Sequence, residues 1–144
     1  MENTQIDITA FHEAGHALIA HVKGIPVLEV YSDGDVGYTL VDWGGSKLIS
    51  IVYFYLAGEV SERLFAGERY SARASYNDHA YATNALFLIT SNSVIQEKIW
   101  NNVINATEEE FSKPENKKKI TMIAEALTRR NSLSKEEFLE LVKD

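Results

Sequence analysis

Hydrophobic residues follow two spacings along the chain, and together these predict a mainly helical protein with a small β hairpin. Between residues 9 and 24 the apolar positions recur as they do on one face of a helix, and Gly24 followed by Pro26 is expected to end it. Residues 27–31 and 36–42 are predicted as two short strands. The intervening Ser32-Asp33-Gly34-Asp35 is typical of a turn, so the strands should form a hairpin.

Helical spacing returns at residue 46 and continues to the end of the chain. Further helices are predicted over residues 46–65, 75–89, 94–111 and 120–130, with a last short helix ending at Val142. Two of them begin with the spacing of a capping box, Ser75 with Asp78 and Ser134 with Glu137. Residues 68–75 have no periodicity and are predicted as an ordered loop. No repeat or linker is evident, so residues 1–144 are predicted to form one domain.

Composition and charge narrow the classes of function. The chain has 144 residues, of which 45% are hydrophobic, enough for a buried core. It has no cysteine, so any metal ligands must be His, Asp or Glu. Its net charge of −7 argues against nucleic acid as a partner, because phosphate binding needs a basic surface. We find no signal-peptide pattern and no apolar run that could span a bilayer, and we expect a cytoplasmic protein without membrane insertion.

The first helix contains the pentapeptide His12-Glu13-Ala14-Gly15-His16, which has the H-E-x-x-H spacing of zinc hydrolases. Residues four apart lie on one helix face, so both imidazoles can reach one metal ion. Glu13 would then stand where hydrolysis needs a general base. The simpler alternative is an amphipathic helix that happens to carry two histidines. Apolar flanks favour the metal site, because burying two imidazoles without a partner is costly.

Catalytic zinc needs a third protein ligand, and spacing leaves two candidates open. One is the carboxylate pair Glu59 and Glu62, near the end of the second long helix, and the other is Asp78, at the start of the next helix. His21 and His79 are not expected to be ligands. His21 lies off the metal face of the first helix, and His79 points about 100° away from Asp78 on a helix.

Several longer stretches resemble the proteolytic domain of the FtsH-type zinc proteases, which is linked to an AAA+ ATPase. They are HEAGHAL at 12–18, PVLEV followed by VGYT within 26–39, LAGEVSERLFAGE at 56–68 and ASYNDHAYAT at 74–83, with further similarity over 116–142. The motifs occur in the family's order and cover nearly the whole chain. The chain departs from the family at Gly58-Glu59, where the family has Gly-Arg, and at Tyr76, an insertion before Asp78.

This resemblance implies a zincin-like, FtsH-type peptidase domain whose zinc ion is held by His12, His16 and Asp78. It implies that Glu62 orients a ligand histidine through its far ring nitrogen. It also implies that Gly37, Tyr38 and Thr39 form the strand that aligns an extended peptide substrate. The alternative for that strand is a simple hairpin strand with Tyr38 in the core.

The sequence therefore predicts a zinc-dependent endopeptidase in which Glu13 is the general base. These residues hold no ATPase motif or membrane anchor, so we expect peptides or unfolded segments as substrates, or substrates delivered by a separate ATPase. Two other functions would use the same ligands: an inactive zinc-binding regulatory or adaptor module, and a peptidase dedicated to one regulatory target. The presence of Glu13 argues against the inactive module, because structural zinc has no need of a general base.

Overall fold

Helices make up most of the structure, as the hydrophobic spacing predicts. The computed structural model describes residues 6–67 and 75–144. The elements within them are α1 (Ile8–Val22), β1 (Val27–Ser32), β2 (Gly37–Val41), α2 (Leu48–Phe65), α3 (Tyr76–Ile89), α4 (Ser93–Ser112), α5 (Pro114–Arg130), β3 (Ser132–Ser134) and α6 (Lys135–Val142). No helix in this part of the chain combines the length and apolar character that crossing a bilayer requires.

The strands form one antiparallel sheet in the order β2-β1-β3. The predicted hairpin of β1 and β2 is confirmed, and it pairs Val30 with Thr39. The third strand is not predicted from the sequence, because β3 has three residues and only Leu133 among them is buried. Since β1 occupies the centre, β2 is an edge strand whose outer side pairs with no strand in residues 6–67 or 75–144.

Helix boundaries agree with the predictions to within about two residues, except at the start of α5. α5 begins at Pro114 rather than at residue 120, since proline fits the first position of a helix, where no amide donor is needed. The capping box predicted at Ser75 is wrong: Ser75 is the N-cap of α3, but its side chain makes no cap hydrogen bond. The one predicted at Ser134 and Glu137 is confirmed, with both reciprocal hydrogen bonds present. Of the predicted loop at 68–75, residues 68–74 lie outside the described residues.

α1 lies in the middle of the main core, and every residue from 10 to 20 is buried. This core is formed with α2, α5, α6 and the sheet, while a smaller apolar cluster lies between α2, α3 and α4. α2 takes part in both clusters. It therefore fixes the position of α3 relative to α1, although 66 residues separate His12 from Asp78.

The contact between α1 and α2 is closest at Gly15. A Cβ atom at this position would collide with the side chain of Ser61 and lie 2.7 Å from the carbonyl oxygen of Ala57. Next to this contact, the Ser61 hydroxyl donates a 2.6 Å hydrogen bond to the carbonyl oxygen of Phe11. Gly15 directly precedes His16 and Phe11 directly precedes His12, so α1 is held against α2 beside both histidines.

Replacing Gly15 with alanine should destabilise the protein. Alanine favours helix by about 1 kcal/mol over glycine, but overpacking against backbone costs about 1–3 kcal/mol and more where nothing can move. We expect a net loss in the free energy of unfolding, measured by urea denaturation. Gly45→Ala is the matched control, since a Cβ there meets no atom within 4 Å. Equal stability of the two variants would contradict the close packing at Gly15.

Candidate metal centre and catalytic cleft

His12 and His16 lie one turn apart on α1 and turn their rings toward the same point. Their Nε2 atoms are 3.0 Å apart, and the ring centroids are 4.7 Å apart. Both residues are buried, with 6% and 4% of their surfaces exposed. The prediction that both imidazoles share one face of a buried helix is confirmed.

Asp78 is the carboxylate that reaches the two imidazoles. Its Oδ2 atom lies 2.8 Å from Nε2 of His12 and 3.0 Å from Nε2 of His16. Glu59 points elsewhere, with Oε1 3.2 Å from Nε2 of His79. Of the two candidates that spacing leaves open, α3 therefore supplies the third side chain. Asp78 reaches the histidines from the first turn of α3 instead of completing a capping box with Ser75.

The tautomer of His16 is set by the backbone of α2. Its Nδ1 atom lies 2.7 Å from the carbonyl oxygen of Phe54, which only accepts hydrogen bonds, so Nδ1 carries the proton. With one proton on the ring, Nε2 presents a lone pair to Asp78 Oδ2, which also carries lone pairs. Two such atoms 3.0 Å apart repel each other unless a positive charge lies with them. The cluster therefore requires a proton or a metal cation.

Electrostatics favour that positive charge strongly. Burial by itself opposes charge on His12, but its hydrogen bond with Asp78, the nearby Glu62 carboxylate and the charge of Glu13 raise the pKa of His12 to about 10. Burial likewise opposes the Asp78 anion, yet contacts with His12 and His16 hold the pKa of Asp78 well below its usual range. At neutral pH without metal, His12 and Asp78 therefore form an ion pair.

The three converging atoms fit a divalent metal ion. Ligand atoms about 2.0–2.1 Å from a tetrahedral ion stand roughly 3.3 Å apart. The observed separations of 2.8–3.0 Å need to widen by only a few tenths of an ångström. Two imidazole nitrogens and one carboxylate oxygen also form a typical three-ligand set for a catalytic ion. Within residues 6–67 and 75–144, no other His, Asp or Glu side chains form such a group.

Gly58 of α2 provides the space that the two rings occupy. A Cβ atom at this position would lie 2.6 Å from Nε2 of His12 and 2.6 Å from Nε2 of His16. Any side chain there would displace the ligand atoms themselves. Sequence reasoning missed this role. The available signal was a glycine inside a long predicted helix, where it costs about 1 kcal/mol relative to alanine and implies close packing.

Glu62 lies on the far side of the His12 ring from Asp78. Its Oε1 atom is 3.5 Å from Nδ1 of His12, and only 1% of the residue is exposed. The other oxygen, Oε2, has no hydrogen-bond partner among the described residues. A buried carboxylate at this position favours a proton on Nδ1 of His12, which leaves Nε2 to bind a cation.

Glu13 faces the edge strand of the sheet. The hydroxyl group of Thr39 donates a 2.8 Å hydrogen bond to Oε1 of Glu13. Gly37 allows this approach, because a Cβ there would lie 2.7 Å from Cγ of Glu13. Tyr38 points the other way and is 46% exposed, so the alternative that places it in the core is wrong. It stacks on Tyr31 of β1.

An open cleft with a cavity volume of about 580 Å³ brings these groups together. One wall is the edge strand β2, and the floor holds the two histidines with Glu13. Trp43, Phe54 and Tyr55 form an aromatic part of the lining, so the cleft has both a polar centre and an apolar surface. This combination is typical of sites that bind and position a substrate.

The two remaining histidines are not members of the cluster. His21 packs its ring against Phe138 of α6, with a 5.9 Å centroid separation. Burial and the nearby Lys119 lower the pKa of His21. His79 of α3 packs edge-on against Trp100 of α4 and pairs with Glu59 of α2. These contacts link the three helices next to Asp78.

Replacing Gly58 with alanine should weaken metal binding by about 10- to 100-fold, as changes beside metal ligands commonly do. The added methyl group occupies the space of the two Nε2 atoms. The dissociation constant for zinc, measured by competition with a chromophoric chelator, tests this. Gly45→Ala is again the control, and circular dichroism checks that the helices are retained. Wild-type affinity in a folded Gly58→Ala protein would contradict the site.

Metal binding should release about one proton at neutral pH. Because the pKa of His12 is raised to about 10 in the metal-free protein, its ring is protonated until the ion displaces that proton. Apparent affinity should therefore rise about tenfold per pH unit between about pH 7 and about pH 9. Calorimetry in buffers of different ionisation enthalpy counts the protons directly. Binding without proton release would show that His12 is neutral.

Comparison with known proteins leaves this site to be interpreted from its own geometry. No protein-family model matches the chain, and no curated protein matches it. The resemblance of its motifs to the FtsH-type proteases therefore stays a prediction. What the described residues establish is a cluster of two buried histidines, His12 and His16, with the half-buried Asp78, which could hold a metal ion in a cleft that also contains Glu13.

Proposed function

We propose that the chain is a zinc-dependent endopeptidase with a zincin-like, FtsH-type peptidase domain. One observation carries the proposal: Asp78 converges with His12 and His16 to within 3.0 Å, and Glu13 lines the same cleft. A metal site alone would serve a structural role equally well. The neighbouring carboxylate, facing the cleft from the residue after the first ligand, is what favours hydrolysis.

Each residue of the site would have its own role in hydrolysing a peptide bond. Zinc bound by His12, His16 and Asp78 would supply Lewis acidity, polarising the scissile carbonyl and making water more acidic. Glu13 accepts the proton of the attacking water and returns it to the amine that leaves. Phe54 favours a proton on Nδ1 of His16, and Glu62 favours one on Nδ1 of His12. Both contacts leave Nε2 to bind the ion.

The substrate would bind along β2. This strand exposes an edge within the described part of the sheet, and it forms one wall of the cleft. An extended peptide can pair with such an edge through its backbone, which places a peptide bond near the ligands without requiring a particular sequence. Because the substrate must be extended, we infer that the enzyme cuts peptides or unfolded segments. Folded proteins would need a separate ATPase.

Replacing Glu13 with glutamine should lower the rate of peptide hydrolysis by about 10²- to 10⁴-fold, because an amide cannot accept the proton. Zinc should still bind, since the three ligands are unchanged. Casein cleavage and zinc content, measured with and without a chelator, test both statements. Glu97→Gln provides the control: it makes the same chemical change at an exposed position on α4.

Two outcomes would count against the proposal. Hydrolysis that continues in the Glu13→Gln protein would remove Glu13 from the mechanism. A zinc-loaded wild-type protein that cuts neither casein nor short peptides would instead favour the inactive zinc-binding module, which shares the ligands but performs no reaction.

A further inference from the structure

The edge strand β2 touches the proposed general base directly. Gly37 passes so close to Glu13 that a Cβ atom would lie 2.7 Å from its Cγ. Two residues later, Thr39 Oγ1 lies 2.8 Å from Oε1 of Glu13. The strand that would pair with the substrate is therefore in direct contact with the carboxylate that would move the proton.

The Thr39 hydroxyl has one proton and two acceptors within reach. These are Oε1 of Glu13 at 2.8 Å and the main-chain oxygen of Glu13 at 3.2 Å. The carboxylate is closer and carries the charge, so it is the stronger acceptor. Among the described residues, this is the hydrogen bond that reaches the Glu13 side chain, and it leaves Oε2 available to accept another proton.

Strand alternation separates Thr39 from the side chains of a bound peptide. Tyr38 and Leu40 are 46% and 51% exposed on one face of β2, whereas Thr39 points to the opposite face, toward α1. A peptide that pairs with the edge of β2 would meet the backbone of Thr39, while the hydroxyl stays on Glu13. The contact thus serves the carboxylate rather than substrate recognition.

We propose that Thr39 is a positioning residue for Glu13, and this inference rests on the proposed peptidase function. The last torsion of a glutamate side chain is soft, so an unrestrained carboxylate samples many orientations. The hydrogen bond to Oε1 restricts that rotation and so fixes the position of Oε2 in a residue that lines the cleft. Because Thr39 belongs to the substrate-binding strand, movement of β2 on peptide binding would also be transmitted to the base.

Thr39→Val tests this, because valine has nearly the shape of threonine and lacks the donor. We expect kcat for a fluorogenic peptide to fall at least about tenfold, since small misplacement of a catalytic group is costly. KM, zinc content and thermal stability should change little. Thr39→Ser keeps the hydroxyl and should restore most of kcat. Thr121→Val, on the surface of α5, makes the same chemical change outside the cleft.

A second measurement separates positioning from substrate binding. In the inactive Glu13→Gln background, the affinity for a labelled peptide can be measured by fluorescence anisotropy with and without Thr39→Val. An unchanged dissociation constant supports the role through Glu13. A weaker one would assign Thr39 to the substrate and overturn the inference.

The remaining outcomes are distinguishable from one another. If wild-type protein cleaves the peptide in a chelator-sensitive manner and Thr39→Val has the same kcat, the positioning role is wrong and the peptidase function stands. If Thr39→Val and Thr39→Ser lose activity and stability in parallel, Thr39 supports the fold through its packing and the positioning role is wrong. If the wild-type protein has no chelator-sensitive activity, the proposed function fails and the role of Thr39 fails with it.

Discussion

Burial of two imidazoles and a carboxylate at one point is the constraint on which the site depends. His12 and His16 are buried, Asp78 is half-buried, and their facing lone pairs repel one another. A positive charge held among them offsets both effects. In the metal-free protein the raised pKa of His12 keeps a proton there, and a divalent cation satisfies the same three atoms together.

The helices meet this constraint with small residues at the points of closest approach. Gly15 lets α1 lie against α2, and Gly58 leaves the space in which the two ligand rings turn toward each other. α2 also orients His16 through the carbonyl group of Phe54 and places Glu62 behind His12. Although α2 contributes no atom to the cluster, it thus positions both histidines. It also holds α3 where Asp78 can reach them.

Local patterns could be predicted well because each depends on neighbouring residues. Helical spacing predicted α1 and its two histidines on one face, and the turn residues at 32–35 predicted the hairpin. β3 was missed because three residues carry no periodicity. The prediction of a capping box at Ser75 was wrong because Asp78 has partners that are distant in the sequence. Its side chain reaches the histidines of α1 instead of the start of its own helix.

By itself, the sequence determined the pentapeptide and its helix, and it predicted the chemistry that two histidines and a glutamate would perform there. It left Glu59, Glu62 and Asp78 open as third partners, because spacing along a chain does not say which helices meet. Only tertiary packing decided that Asp78 faces the histidines, that Glu62 stands behind one of them and that Thr39 touches Glu13. These contacts join elements 26 to 66 residues apart, and their distances follow from how α1, α2, α3 and the sheet pack.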